Sequence, residues 1–397
     1  MFDFSAFLTN SHTLAAAVTL VVTMAILCLY YGLFHFRVGR WKLKEKPGET
    51  PQSLGGTPPV SVVLTACNDA NWLRENLVYL LEQDYPDFEV VVVDYLSKDD
   101  TPSVLKLLKD YYPHLKAVPF VGNISVREGV ALHEDVNLFQ GKKYPLSIGI
   151  KSAKNDIVLL ADPDCMPKNM QWLRGMVKGY MTRETQIVLG YCGLKRTKTL
   201  LGAMQQYDNL AYSCHYLGSA LLGHPYTGSG RNLSYRRQFF FKRGAFISHY
   251  DIATGSDDLF VYHNADRKNT AVCIGEDALL TTEPKGSFAQ WHQLRLDRVA
   301  TRNRHSVGSR LAEHLLPVGN LLFYAAAAYL MLRGPWGLVL LLVLLKWAWQ
   351  IVALWQPSRR FDAGLVYLAA PLLEIYFIVA NTILILTPLH SNRKFKK

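Results

Sequence analysis

The sequence predicts an α/β domain with a mostly parallel sheet, carried between apolar helices long enough to cross a bilayer. Three observations predict it. β-Branched runs alternate with helix-spaced leucines between residues 60 and 161. Two of those runs end on aspartate, Asp94 and Asp162. Long stretches near both ends of the 397-residue chain carry almost no charge.

The apolar stretches come first. Residues 14–34 and 315–332 contain no charged side chain. Residues 336–355 contain only Lys346, and residues 363–388 contain only Glu374. About 18 or more apolar residues suffice to span a bilayer core. Half of all residues are hydrophobic and 19% are charged, below the roughly 25% of a soluble domain. This composition excludes a disordered chain, a collagen and a coiled coil. The 280 residues from 35 to 314 remain as the water-soluble part, enough for one large α/β domain or two small ones. The division read from the sequence is an anchor (1–36), a basic juxtamembrane linker (37–58), a catalytic-size domain (59–314) and a C-terminal membrane region with a basic tail (315–397).

The net charge of +11 is unevenly placed. Arg37, Arg40, Lys42, Lys44 and Lys46 follow the first apolar stretch, and no Lys or Arg precedes it. The positive-inside rule then puts the following residues in the cytoplasm and the N-terminus outside. A signal peptide wants a basic start, a shorter apolar core and a small-residue cleavage site, and none of these fits. The basic run suits lipid headgroups. Nucleic acid is not expected, because no recognition motif accompanies the charge. The six cysteines, Cys28, Cys67, Cys165, Cys192, Cys214 and Cys273, form no CxxC and no regular spacing. Neither a zinc site nor a disulfide framework is expected, and a reducing compartment fits.

Each element of the α/β region has its own signal. Residues 60–66 are β-branched and bounded by Pro58-Pro59 and Asn68-Asp69, a strand. Residues 71–83 place Leu73, Leu77, Leu80 and Leu81 on one helical face. Residues 88–93 are a second buried strand ending on Asp94. Thr101-Pro102 fits an N-cap with proline at the first helical position, opening a helix through 104–108. A third strand is expected at 115–120, a helix at 145–153, and a fourth strand at 157–161 that ends on Asp162. Alternating strands and short helices imply parallel, right-handed crossovers. Ligands of such sheets bind outside the carboxyl ends of the strands, where Asp94 and Asp162 stand.

Leu159-Leu160-Ala161-Asp162-Pro163-Asp164-Cys165 is the most informative segment. Residues two apart in extended chain face one side, so Asp162 and Asp164 aim at one point. Paired carboxylates suit a hard divalent cation. Magnesium takes one or two carboxylates plus substrate phosphates, and such a metal neutralises a departing diphosphate. An ordinary Asp-Pro-Asp turn is the competing reading.

Three stretches carry a family resemblance. Pro58-Pro59-Val60-Ser61-Val62-Val63-Leu64-Thr65-Ala66-Cys67-Asn68-Asp69 and Val91-Val92-Val93-Asp94-Tyr95-Leu96-Ser97-Lys98-Asp99-Asp100-Thr101 resemble the opening of a family 2 glycosyltransferase. Lys142-Lys143-Tyr144-Pro145-Leu146 onward to Asp162-Pro163-Asp164-Cys165 is similar to that family's helix and Asp-X-Asp motif. The resemblance covers roughly residues 59–300 and the flanking membrane segments. It implies the A-type fold, a nucleotide-sugar donor, a divalent cation (Mg²⁺ or Mn²⁺) and inversion at the anomeric carbon. It further implies that Ala66 and the Cys67-Asn68-Asp69 turn line the nucleotide pocket and that Asp94 binds base or ribose. Tyr95 stands where a second acid is usual. Asp162 contacts ribose or metal, Asp164 ligates the metal, and Lys142 or Lys143 faces the nucleotide.

The general base of that family lies at a helix start after the Asp-X-Asp motif. Here Thr254-Gly255-Ser256-Asp257-Asp258-Leu259-Phe260 supplies Asp257 or Asp258. Two adjacent carboxylates repel, which lifts one pKa toward a useful range. Glu276-Asp277 is a rival pair. Gly228-Ser229-Gly230-Arg231-Asn232 resembles the acceptor-side segment, with Gly230, Arg231 and Asn232 as acceptor residues. Trp291-His292-Gln293-Leu294-Arg295 partly resembles the Gln-X-X-Arg-Trp motif of processive synthases. In that motif Trp stacks on the acceptor sugar, while Gln and Arg hold the donor diphosphate. Trp291 and Gln293 are therefore acceptor candidates, and Arg295 and Arg298 are diphosphate candidates. A basic amphipathic helix on the membrane surface is the other reading.

The expectation is an integral membrane, inverting, metal-dependent, hexosyltransferase-like enzyme. It moves a sugar from a nucleotide-sugar donor to a lipid-linked or surface-glycan acceptor, in a bacterial inner membrane with the catalytic domain cytoplasmic. A processive polysaccharide synthase is the near alternative, although three C-terminal segments are few for an export channel. A catalytically silent scaffold that keeps the fold is the distant one, favoured by Tyr95, Ser256 and the incomplete synthase motif. Four spans would leave the C-terminus outside, against the preference of Arg393, Lys394, Lys396 and Lys397. Residues 315–332, with Pro317, Gly319 and Asn320, are therefore the expected re-entrant or interfacial segment. Lys346 and Glu374, each near the middle of its stretch, are expected to face each other.

Overall fold

The computed structural model describes residues 11–43, 57–120, 141–182 and 184–386. In chain order, helix α1 (Ser11–Gly39), with a π-helical stretch at Tyr31–Phe36, precedes strand β1 (Val60–Ala66). Then follow α2 (Ala70–Leu81), β2 (Phe88–Tyr95), α3 (Thr101–Tyr111), β3 (Leu115–Phe120), α4 (Lys143–Ser152) and β4 (Ile157–Leu160). Next come β5 (Cys165–Pro167), α5 (Trp172–Val177), β6 (Ile187–Leu189), β7 (Tyr191–Leu194), α6 (Leu200–Leu221), β8 (Leu233–Arg236) and α7 (Arg237–Lys242). After α8 (Asp258–Asn264), β9 (Thr270–Val272), β10 (Leu279–Thr282) and α9 (Phe288–Val299) come α10 (Val307–Arg333), α11 (Trp336–Arg360) and α12 (Val366–Leu386). Two compact units result. One is built from Lys42–Lys195 and Ser219–Thr301, the other from Met1–Trp41, Arg196–Gly218 and Arg302–Leu389.

The first unit is α/β. Its main sheet has the order β3-β2-β1-β4-β8-β6-β9. β1 pairs in parallel with both β2 and β4, and β2 with β3. Among the described residues of this sheet, only β8 runs against its neighbours, β4 and β6. Val62, Val63, Val90, Val91 and Val92 are fully buried, as expected of strands covered on both faces. Helix α4 lies close because residue 149 is glycine. A Cβ there would stand 2.5 Å from Val63 Cγ1 and 3.0 Å from Val93 Cγ2. The register sets Ala66 beside Asp94 and Val63 beside Leu160, so the carboxyl ends of β1, β2 and β4 lie side by side. A second sheet, β5-β10-β7, begins one residue after Asp164. The six cysteines are all free.

The second unit gathers apolar helices. Four of them, Ser11–Gly39, Val307–Arg333, Trp336–Arg360 and Val366–Leu384, are long and apolar enough to cross a membrane. Leu20 and Leu27 of α1 pack with Phe323, Ala326 and Leu330 of α10 and with Val339 and Val343 of α11. Most of α6 also belongs here, within the stretch 59–314 that the sequence suggested as one domain. Gly218 allows this approach, since a Cβ would stand 2.9 Å from Phe34 Cα. The re-entrant reading of residues 315–332 is corrected. They form part of one 27-residue helix that continues through Pro317 and is N-capped by Ser306, whose hydroxyl accepts from the Ser309 N–H. The basic C-terminal tail and Lys44 and Lys46 lie outside the described residues.

The expected pair is present. Lys346 on α11 makes an ion pair with Glu374 on α12, and both are buried. The same carboxylate accepts from Tyr31 Oη at 2.8 Å and Tyr324 Oη at 3.1 Å. Trp347 Nε1 donates to Tyr324 Oη at 2.7 Å. Four helices thus converge on one charged centre.

Candidate active site

The carboxyl ends of β1 and β2 are joined by their loops. Asn68 takes a left-handed backbone, φ 59°, which asparagine tolerates better than most residues. Its N–H donates to Ser97 Oγ at 3.0 Å, and its Oδ1 accepts from the Lys98 N–H at 2.7 Å. The N–H of Asp69 donates to Thr101 Oγ1, and that of Ala70 to Asp99 Oδ2. The turn is therefore shaped before any ligand arrives. The Asn68 side-chain oxygen thus positions the turn, while the residue stays exposed at the strand ends. Beside it, Asp94 Oδ1 is buried and lacks a hydrogen-bond partner among the described residues. Such a buried acceptor asks for a donor beyond these residues, from the rest of the chain, water or a ligand. The Tyr95 ring lies 5.1 Å from Phe120, which lies 5.4 Å from Tyr144, an aromatic row at the same strand end.

Asp162 and Asp164 are brought together by a turn and not by extended strand: β4 ends at Leu160, and the Cys165 N–H donates to the Asp162 carbonyl at 2.9 Å across Pro163-Asp164. Arg231 reaches both, with Nε 3.4 Å from Asp162 Oδ2 and Nη2 3.7 Å from Asp164 Oδ2. Lys142 Nζ lies 2.7 Å from Asp162 Oδ1, and Lys285 Nζ lies 3.6 Å from Asp164 Oδ2. Burial alone would raise the Asp162 pKa. Lys142 and Arg231 more than offset it and hold the group down at about 2, so it is ionised at any working pH. Between the two lysines at the start of α4, the structure chooses. Lys142 faces Asp162. Lys143 is buried and donates to the carbonyls of His249 and Ile252 at 2.5 and 2.7 Å. It pins the segment before α8 and is corrected as a nucleotide contact.

The chemistry of this donor set fits a hard divalent cation: two carboxylates held toward one guanidinium. No group of three His, Cys, Asp or Glu residues with metal-ligand geometry occurs among the described residues. Further ligands would come from diphosphate oxygens and water, as is usual for Mg²⁺.

The neighbour of Arg231 leads to the other carboxylate. The Gly230 N–H donates to Asp257 Oδ2 at 2.6 Å. The absence of a side chain matters here, because a Cβ on residue 230 would stand 3.0 Å from that same oxygen. Burial pushes the Asp257 pKa above the ordinary carboxylate range. The Gly230 hydrogen bond opposes this, and adjacent Asp258 adds to it. Asp258 instead accepts from Thr301 Oγ1. The two acids thus differ in setting, one against the glycine loop and one against the end of the unit. In the rival pair, Asp277 is held by Lys178 at 2.5 Å, and Glu276 lies 3.3 Å from Lys168.

The acceptor candidates divide. Gly230 lies against the base candidate, whereas Arg231 turns to the carboxylate pair. Asn232 is corrected: it is buried, its amide donates to the carbonyls of Tyr191 and Ala278, both at 2.8 Å, and it accepts from Trp172 Nε1 at 3.2 Å. All of its side-chain polarity joins the two sheets. On α9, Trp291 is buried with the Arg295 guanidinium over its ring at 5.4 Å, and Arg295 is buried as well. A ring so enclosed has no open face for an acceptor sugar. Gln293 donates to Asp297 Oδ1 at 2.8 Å along the exposed side of the helix. Trp291 and Arg295 are thus buried against each other, whereas Gln293 stays exposed on the helix. Lys285 was missed by the sequence reading. Its only local signal is a lysine in a Pro-Lys-Gly turn, which does not say what it faces.

A family model, Glycosyl transferase family 21, matches residues 19–380. Among solved structures, the mannosyltransferase PcManGT from Pyrobaculum calidifontis, in complex with GDP-Man and Mn²⁺, aligns with a TM-score of 0.54 and 21% identity. The alignment covers 91% of this chain and 98% of that one. TarS 1–349 from S. aureus aligns with a TM-score of 0.41 and 18% identity, over 82% of this chain and 88% of that one. TarS 1–349 in complex with UDP-GlcNAc gives 0.41 and 17% over the same shares. No curated protein matches. The likeness to PcManGT is one of fold.

Proposed function

The chain belongs to glycosyl transferase family 21, and we propose that it is a membrane-bound, inverting, hexosyltransferase-like enzyme. It takes a sugar from a nucleotide-sugar donor and gives it to a lipid-linked or surface-glycan acceptor. The observation that carries the reading is the pair Gly230 and Arg231. One residue holds Asp257, and the next holds Asp162 and Asp164. A proton acceptor and a diphosphate-side charge cluster are thereby built on adjacent residues.

In this reading Asp257 is the base. Its raised pKa suits removal of a proton from an acceptor hydroxyl. The hydroxyl oxygen bonds to the anomeric carbon as the bond from that carbon to the diphosphate oxygen breaks. The electron pair leaves with the nucleoside diphosphate, and the proton passes to Asp257. Asp164, with Asp162, would hold Mg²⁺ or Mn²⁺, which when bound offsets the charge of the leaving diphosphate. PcManGT, on the same fold, is in complex with Mn²⁺, which supports that choice. Asp94, with its unmatched buried oxygen, would accept from base or ribose. Lys142 and Arg231 orient the carboxylates and add positive potential. The basic residues Arg37, Arg40 and Lys42 after the first span support a cytoplasmic catalytic domain; the bacterial inner membrane is part of the proposal.

The test is release of nucleoside diphosphate by the purified full chain, offered a panel of sugar nucleotides with a lipid extract as acceptor source. One donor should turn over, and excess EDTA should stop it. No release with any donor would leave the silent-scaffold reading standing.

A further inference from the structure

Lys143 takes no part in the reaction described above, yet it is a lysine kept in the interior, 2% exposed. An ammonium so buried needs good acceptors. It donates to two carbonyls, those of His249 and Ile252, at 2.5 and 2.7 Å. Both belong to the stretch that leads to Asp257, the fifth residue after Ile252. Residues 251–256 form neither helix nor strand. The place of Asp257 therefore depends on side-chain and backbone contacts along this stretch, because no regular backbone ladder fixes it.

The start of α4 supplies those contacts at more than one point. Gly141 takes a left-handed backbone, φ +85°, and a Cβ there would stand 2.1 Å from the Ala253 carbonyl oxygen. One turn further along the helix, Ser147 Oγ and Tyr250 Oη share a hydrogen bond at 3.0 Å. Burial, and after it the Lys143 ammonium, holds the His249 imidazole down at about 4, so at neutral pH that ring is uncharged beside the lysine. At the far end the Gly230 N–H holds Asp257 Oδ2, and the Asp257 carbonyl accepts from the Val261 N–H. The residue before Lys143 faces the other half of the site, with Lys142 Nζ 2.7 Å from Asp162 Oδ1. One helical turn thus touches the carboxylate pair with one side chain and the base-bearing stretch with the next.

Resting on Asp257 as the base, we infer that Lys143 is a positioning residue for the transfer, one that fixes residues 249–252 against α4 and so sets where Asp257 meets the acceptor hydroxyl. It acts through the backbone of that stretch and not on the donor. Its effect falls on the transfer step, where a misplacement of about 1 Å can cost about 10²-fold.

The experiment uses the purified full chain and the sugar nucleotide that the wild type turns over. Wild type, Lys143→Met, Tyr250→Phe and Asp257→Asn are compared. Turnover is measured across pH, and donor affinity by calorimetry with Mn²⁺ present. Lys143→Met should lose about 10- to 100-fold in kcat, with donor affinity within about twofold of wild type. The acid limb of its kcat/KM should also move to lower pH. Burial is the main cause that lifts Asp257, and a loosened stretch lets water reach the carboxylate, whose pKa then falls toward its ordinary value. Loss of the lysine's charge alone would move the limb the other way. The titratable groups facing Asp257 include Asp258 and Tyr235, and both are kept in this variant. Tyr250→Phe gives up the contact with Ser147 and should shift the limb in the same direction by less; it carries the test if Lys143→Met does not fold. A limb that stays or rises, or donor affinity lost in step with turnover, overturns the inference. Wild-type kcat in Lys143→Met, beside a large loss in Asp257→Asn, sinks this role alone. Wild-type turnover in Asp257→Asn sinks the base reading and this role with it, and no turnover by wild type with any donor removes the proposed function.

Discussion

Glu374 is the place to test the membrane unit, because its carboxylate is buried and serves four helices at once. It accepts from Tyr31 on α1 and Tyr324 on α10 and pairs with Lys346 on α11. Breaking a buried pair by removing one partner costs about 3–5 kcal/mol. The two single substitutions should not cost the same. Lys346→Met takes one of three donors from Glu374 and leaves two tyrosine hydroxyls, so we expect about 2–3 kcal/mol, at or below the bottom of that range. Glu374→Gln leaves the ammonium with a neutral amide oxygen, the Tyr324 hydroxyl at 3.3 Å and the ring at 4.9 Å. Neutral acceptors and a ring face compensate a cation less well than a carboxylate, so about 3–5 kcal/mol is expected. The double variant buries no unpaired charge and should cost about 2 kcal/mol less than the sum of the singles. Reversible unfolding in bicelles by steric trapping measures all three. Additivity to within about 0.5 kcal/mol would refute direct coupling. A costlier Lys346→Met would refute the assignment of Tyr31 and Tyr324 as compensating donors.

Three further outcomes follow from the other unit. Asp164→Asn should abolish metal-dependent turnover and leave the thermal midpoint near wild type; full activity in that variant, or wild-type activity undiminished in excess EDTA, would exclude the metal role. The Asp257 pKa is raised, so the base is lost by protonation as pH falls and kcat/KM should drop on an acid limb above the ordinary aspartate value near 3.9; Asp162, held at about 2, stays ionised through this range, and a limb that survives unchanged in the residual activity of Asp257→Asn would point to another group. Asn232→Ala should destabilise the protein by about 3 kcal/mol or more, since two carbonyls and the Trp172 N–H lose their partner in a buried place, and a thermal midpoint equal to wild type would return Asn232 to the acceptor side.

The central half of the sheet was legible because its strands are long and β-branched and its helices show leucines at helical spacing. β1 to β3 and the Asp94 strand end follow from pattern alone. The other half was not. β6 and β9 have three residues each, too few for a periodicity, and β8 enters the sheet antiparallel through pairings that no local signal marks. The second sheet joins Thr281 to Met166, far apart in sequence. Helix α10 passes through Pro317, which read as a break. In the site, Asp162 and Asp164 were legible as a pair from their spacing at a strand end, but the geometry that joins them is the Asp-Pro-Asp turn that stood as the competing reading. The roles of Asn232, Lys143 and Trp291 were not, because a polar or aromatic residue in a motif looks the same whether it meets a ligand or the core. Arg231 and Lys285 gain their meaning only from carboxylates that the fold brings to them.

Glycosyl transfer by this chain depends on Asp257 acting as the base beside a diphosphate site. The most direct measurement is turnover of the preferred sugar nucleotide by wild type, Asp257→Asn and Asp258→Asn, with donor affinity measured in parallel. Asp257→Asn should lose about 10²–10⁴-fold in turnover with donor affinity little changed, while Asp258→Asn, bonded to Thr301, should lose much less. Near-normal turnover in Asp257→Asn, or the larger loss in Asp258→Asn, would contradict the account.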